Sequence, residues 1–185
     1  GSTMDSAKVG LCVATVGGTT SEYFGFDLFP TAANWPLIAV PTTAGTGAEA
    51  SRVSVVATSV GKQAVYSDYI QPRVAIVDPA LTRSLPAALT AITGLDAVGH
   101  ALECTASDKG NDLGDAVARE ALSSLLPHIT TAITEGAGSR KARYHMARGS
   151  LLAGMLLSPI NTGAAHALGY GIERISHERG NPVPH

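Results

Sequence analysis

Asp96 and His100 stand four residues apart in the stretch Thr93-Gly94-Leu95-Asp96-Ala97-Val98-Gly99-His100-Ala101-Leu102-Glu103. On a helix that spacing puts both side chains on one face. Their neighbours Leu95, Ala97, Val98, Ala101 and Leu102 are apolar, and a carboxylate facing a core is costly unless it is paired or bound to a metal. A third such group, His166, lies among small apolar residues in Asn161-Thr162-Gly163-Ala164-Ala165-His166-Ala167-Leu168-Gly169-Tyr170, and Tyr170 follows on the same helical face. Two readings stand. A histidine on an apolar helix can be a satisfied core residue. An Asp/His pair and a second buried histidine on helices of one bundle can instead hold Zn²⁺ or Fe²⁺, which take mixed nitrogen and oxygen ligands. His128 and His145 have no ligand-like company and read as surface or capped residues. His177 and His185 fall in a polar tail.

The elements that must position these residues come in two kinds. Gly1 to Gly10 opens a helix that Ser2 or Asp5 could cap. Small residues ahead of a helix also suit an anion, because free N–H groups and the helix dipole point the same way. Residues 15–36 read as loop with a short helical turn. Leu37 to Val40 reads as a buried strand running into Pro41-Thr42-Thr43-Ala44-Gly45-Thr46-Gly47-Ala48-Glu49. In that turn the threonines can bond a phosphate or sugar, and the glycines can let the backbone approach it. A tight structural turn is the competing reading. Strands are expected over 52–57, 64–69 and 73–77, with a turn at Gly61-Lys62, and together with 37–40 they make one sheet over 37–78. Past Pro86 alanine and leucine recur at helical spacing, so helices are expected at 87–106, 112–134, 139–157 and 161–175. Asp112 and Asp115 fall in the first turn of the second of these, where negative charge is favoured. Gly136-Ala137-Gly138-Ser139 separates the second from the third.

The 185 residues are 45% hydrophobic and only 15% charged, so a packed core is expected. A net charge of −2 with no basic run argues against nucleic acid as a partner. Cys12 and Cys104 are far apart and outside any CxxC spacing, which suits a reducing, cytoplasmic setting. No apolar run reaches the length of a membrane span, and no charged-then-apolar leader marks the chain for export.

Five ordered motifs carry a resemblance. Gly1-Ser2-Thr3-Met4-Asp5-Ser6-Ala7-Lys8 looks like the tail of GGGSxxDxAK. Residues 41–49 look like PTTAGTGSE, with alanine for serine. Residues 78–86 look like DPxLTxSLP, residues 93–103 like TGxDAxxHAxE, and His166-Ala167-Leu168 like the start of HALxHxLG. The chain thus resembles the iron-dependent (group III, iron-containing) alcohol dehydrogenases. The resemblance implies an α/β region followed by an all-α region. These would be a partial Rossmann-like dinucleotide-binding domain over 1–86 and part of a helical, dehydroquinate synthase-like metal-binding domain over 87–185.

It also implies roles. Gly1, Ser2, Asp5, Thr42, Thr43 and Thr46 would hold the phosphates and ribose of NAD or NADP, with Lys62 and Leu85 as further contacts. Asp96, His100 and His166 would be three ligands of Fe²⁺ or Zn²⁺. The family's fourth ligand lies in a PHG element. Val183-Pro184-His185 looks like it but comes later than the usual spacing, and His177 is the rival. Tyr170 stands where the family has a second histidine, assigned to proton relay or substrate contact. Family members are much longer, so this looks like an internal segment spanning the junction of their two domains.

Two functions follow. One is a metal-dependent, NAD(P)-linked alcohol dehydrogenase or aldehyde reductase acting on a small alcohol or aldehyde. The other is an inactive truncated relative serving as a structural or interaction module. A homo-oligomer is expected, and for the truncated relative the reason is that missing sheet neighbours leave apolar edges to cover. A metal-dependent hydrolase lacks a separate water-activating base.

Overall fold

The computed structural model describes residues 1–59 and 61–179, the side chains of 177 and 178 excepted. The chain begins with helix α1 (Ser2–Val16) and passes a 3₁₀ turn at Thr20–Tyr23. Five strands follow: β1 (Gly25–Phe26), β2 (Ile38–Ala39), β3 (Val53–Thr58), β4 (Gly61–Tyr66) and β5 (Val74–Ala75). Among the described residues five helices follow the strands: α2 (Ala87–Thr105), α3 (Asp112–Leu125), α4 (Ile129–Glu135), α5 (Arg140–Leu156) and α6 (Ala164–Glu178). The order is therefore an α/β region followed by helices. Among the described residues no helix is long and apolar enough to cross a membrane.

The expected single sheet is two. β3 and β4 form an antiparallel hairpin, and β1 adds to β4 in parallel. β2 and β5 form a separate parallel pair, with Ile38 opposite Val74 and Ala39 opposite Ala75. The chain leaves β2 through the 41–49 turn, which dives into the helical layer and buries Ala44 in its core. It returns as β3, which pairs with β4 and not with β2. A parallel partner for β2 then has to come from beyond the hairpin, as β5 does.

Local differences have local causes. Neither Ser2 nor Asp5 caps α1, whose N-cap is Gly1 without a side-chain bond. Gly61 and Lys62 belong to β4, paired with Thr58 and Ala57, rather than to a turn. The expected helix over 112–134 breaks after Leu125 and restarts at Ile129. Pro127 lies between, and its ring nitrogen has no proton to continue the helical ladder. The start of α3 is as expected, with Asp112 and Asp115 in its first turn and Asn111 Oδ1 accepting from Gly114 N at 2.9 Å.

The core has two parts. Val9 and Cys12 of α1 pack with Phe29, Val65 and Ile70 beneath the hairpin. Ala97, Val98, Leu125, Ala142 and Met146 fill the space between α2, α3 and α5. Alanines at Ala101, Ala121 and Ala153 let those helices approach closely. His128 and His145, expected as surface or capped residues, are half-buried and stack on each other with ring centroids 3.9 Å apart.

Candidate metal centre

α2 carries Asp96, His100 and Glu103 at helical spacing of four and then three residues, so all three share one face. The start of α6 lies against that face and brings His166 to it. One ligand-type atom from each of Asp96, His100 and His166 lies within 4.8 Å of the others. The Asp96 Oδ1 atom is 3.2 Å from His166 Nε2 and 3.5 Å from His100 Nε2. The two imidazoles stack with centroids 4.6 Å apart. His100 is buried, and the side chains of Asp96 and His166 are 17% and 10% exposed. A carboxylate and two imidazole nitrogens converging at this depth form the donor set that divalent zinc or iron takes.

Glu103 completes the arrangement. Its Oε1 accepts from the backbone N–H groups of Ala165, at 2.5 Å, and of His166, at 3.2 Å, at the start of α6. Its Oε2 bonds His166 Nδ1. Burial alone would lift the Glu103 carboxyl, but the bonds from the His166 side chain and backbone hold it below the usual range. Burial works against a charged His166, yet the carboxylates of Asp96 and Glu103 outweigh it and raise its pKa. Sequence reasoning gave Glu103 no role. Its position seven residues beyond Asp96, on the same helical face, was the signal available.

The three ligand-type residues open onto a cleft of about 250 Å³ at the junction of the two regions. Gly1, Ser2 and Asp5 line it from the start of α1, Thr46 from the 41–49 turn, and Lys62 from β4. Tyr170 lines it from α6. Burial, with Tyr66, Asp96, Asp5 and Glu173 nearby, pushes the Tyr170 hydroxyl up to about 12, so it keeps its proton at neutral pH. Lys62 Nζ meets Glu173 Oε2 at 2.8 Å, tying the hairpin to α6. Asp5 is buried, accepts from Val55 N at 3.1 Å through Oδ2, and has its pKa raised by burial against the pull of Lys8.

Other sequence candidates lie elsewhere. Thr42 is exposed, Thr43 is half-buried, and neither lines the cleft. Leu85 is also outside it, its carbonyl accepting from the buried Arg143 guanidinium at 3.2 Å. His185 lies outside the described residues, as does the side chain of His177. The glycines of the turn lie against helices. A Cβ on Gly45 would sit 2.6 Å from Thr93 of α2, and one on Gly47 would sit 2.2 Å from the Gly154 Cα of α5. These glycines let backbone approach helices.

An α/β layer thus feeds a helical layer, and an Asp-His-His cluster lines the cleft between them. Residues 1–79 match the family described as iron-containing alcohol dehydrogenase. Residues 90–182 match the Fe-containing alcohol dehydrogenase family, C-terminal. The chain belongs to the iron-containing alcohol dehydrogenases. It is 36% identical to long-chain-alcohol dehydrogenase 1 of Geobacillus thermodenitrificans over 99% of its own length and 47% of that protein's. A crystal structure of 1,3-propanediol oxidoreductase superposes with a TM-score of 0.88 at 34% identity, covering 94% of this chain and 46% of that one. Sulfoacetaldehyde reductase from Bifidobacterium kashiwanohense, in complex with NAD⁺, superposes with a TM-score of 0.84 at 32% identity, covering 98% of this chain and 48% of that one. The chain thus spans about half the length of the relatives it matches.

Proposed function

We propose that this chain forms the metal and cofactor junction of an NAD(P)-linked, metal-dependent alcohol dehydrogenase or aldehyde reductase acting on a small alcohol or aldehyde. The carrying observation is that Asp96, His100 and His166 converge on a wall of the same cleft that the start of α1 lines. The division at residue 86, with a nucleotide region before it and a metal region after it, belongs to this reading.

Asp96, His100 and His166 hold Fe²⁺ or Zn²⁺, with His185 as fourth ligand and His177 as its rival. A metal held there would supply Lewis-acid polarisation of the substrate oxygen. The other residues bind and orient. Gly1, Ser2 and Thr46 receive the nucleotide's phosphates at the N-terminus of α1, where free N–H groups and the helix dipole favour anions. Lys62 and Asp5 face the ribose and nicotinamide end. Thr42, Thr43 and Leu85 are left with outer contacts to the nucleotide. Tyr170 donates a hydrogen bond at the substrate oxygen, a role that a hydroxyl retaining its proton suits.

Elemental analysis of the purified chain, with NADH and NADPH fluorescence titrations, tests this reading. Near-stoichiometric metal and saturable nucleotide binding are expected. Asp96→Ala and His100→Ala should each abolish metal binding, and unchanged metal content in either variant would overturn the assignment.

A specific observation favours the second reading, an interaction module. Ile38 and Val40 at β2, and Val74 and Ile76 at β5, are all exposed. Paired parallel strands of this composition ordinarily lie buried on both faces.

A further inference from the structure

Glu103 is not among the residues that line the cleft, yet its carboxylate makes three bonds to α6. Oε1 takes two backbone N–H groups, and Oε2 takes the His166 ring. The backbone N–H groups can only donate, so Oε1 must accept. An ionised carboxylate offers only acceptors, so Oε2 also accepts, and His166 Nδ1 must carry a proton. With the proton on Nδ1, Nε2 keeps a lone pair for a metal in the ligand cluster, 3.2 Å from Asp96 Oδ1; without metal the same atom can donate to that carboxylate.

We propose that Glu103 is a positioning residue for the metal centre, setting the tautomer and ring orientation of His166 while anchoring the first turn of α6 to α2. The inference deepens the metal reading above and rests on it. Carboxylate partners behind metal-bound histidines act this way in general, and their loss weakens metal binding about 10–100-fold.

Glu103→Gln separates the positioning role from a purely structural one. The glutamine side-chain oxygen must still face the N–H groups of Ala165 and His166. Its NH₂ group is then left against His166 Nδ1 and donates there. The ring responds by moving its proton to Nε2, which can no longer ligate. The helix anchor survives, but the ligand does not.

Zinc affinity is measured by competition with a chromophoric chelator, and thermal unfolding of the metal-free proteins is measured alongside. Metal-free Glu103→Gln should still unfold in a single cooperative transition, and it should bind zinc about 10–100-fold more weakly. Equal affinities would overturn the proposal. The nitrogen NMR shifts of the His166 ring in the zinc-loaded protein give a second readout. Wild type should show the proton on Nδ1, and a wild-type ring without a proton there would overturn the proposal without reference to any variant. A wild-type chain that binds no zinc would sink the metal reading, whereas equal zinc affinities would sink only the role given to Glu103.

Discussion

Lys8 is fully buried, and its ammonium donates to the carbonyl oxygens of Ser51 and Val53, each at 2.9 Å. It pins α1 to the entry of β3, while Ser54 Oγ donates to the Asp5 carbonyl at 2.9 Å from the same strand. Burial lowers Lys8 to about 8, against the opposing pull of Asp5 and Glu49. The sign of the consequence is fixed. Between about 8 and the ordinary 10.5 the unfolded chain holds a proton that the folded chain has released. Stability therefore rises with pH through that window, and the gain is lost as pH falls back through 8. Urea unfolding of wild type and Lys8→Met from pH 7 to 10.5 checks this, since other titrations cancel in the difference. The wild-type advantage should grow across the window, and a flat difference would mean that Lys8 keeps its proton throughout.

At the scale of elements, the 41–49 turn matters most, because it holds Thr46 at the cleft and wedges between α2 and α5. Gly47 has φ = +61°, and a Cβ on Gly154 would sit 2.5 Å from the Gly47 Cα. Two backbones touch there, with no flexible side chain that could give way. Gly154→Ala should therefore destabilise the fold by about 1–3 kcal/mol, the usual cost of overpacking, or more. It should also push Thr46 outward. Chemical denaturation reads the first effect, and NADH titration reads the second as weaker binding. Full stability in Gly154→Ala would show that the turn can slide along α5.

At the scale of the whole molecule, apolar surface and strand edges are the dominant unmet demand. Trp35 is 73% exposed, and Ile38, Val40, Val74 and Ile76 are exposed along the β2–β5 pair. Unpaired strand edges flanked by such residues template association. In light scattering the chain should run larger than a monomer. Ile38→Lys combined with Val74→Lys should reduce that association while leaving zinc affinity unchanged, since neither residue lines the cleft. A monomeric wild type would remove the support for the interaction-module reading.

Much of this was legible in the residues themselves. Periodicity placed α2, α3 and α5 to within a residue or two of their starts, because long amphipathic helices write their period into the chain. The four-residue spacing of Asp96 and His100 and the apolar setting of His166 named the ligand-type cluster before any contact was visible. The two-sheet division was not legible, because apolar runs such as 37–40 and 73–77 mark strands but not which strand pairs with which, nor that Ile38, Val40, Val74 and Ile76 stay exposed where a buried strand was expected. The Gly47–Gly154 contact was equally silent, since a glycine reads the same whether ligand or helix lies above it. Sequence alone determined the family, the order of the elements and the residue types able to bind a metal, because motif spacing and periodicity are local properties of the chain. Only the tertiary structure decided that Glu103 stands behind His166, that Thr42, Thr43 and Leu85 lie away from the cleft, and that the 41–49 turn is an interhelical wedge. Those facts depend on contacts across tens of residues, which folding sets and local pattern does not record.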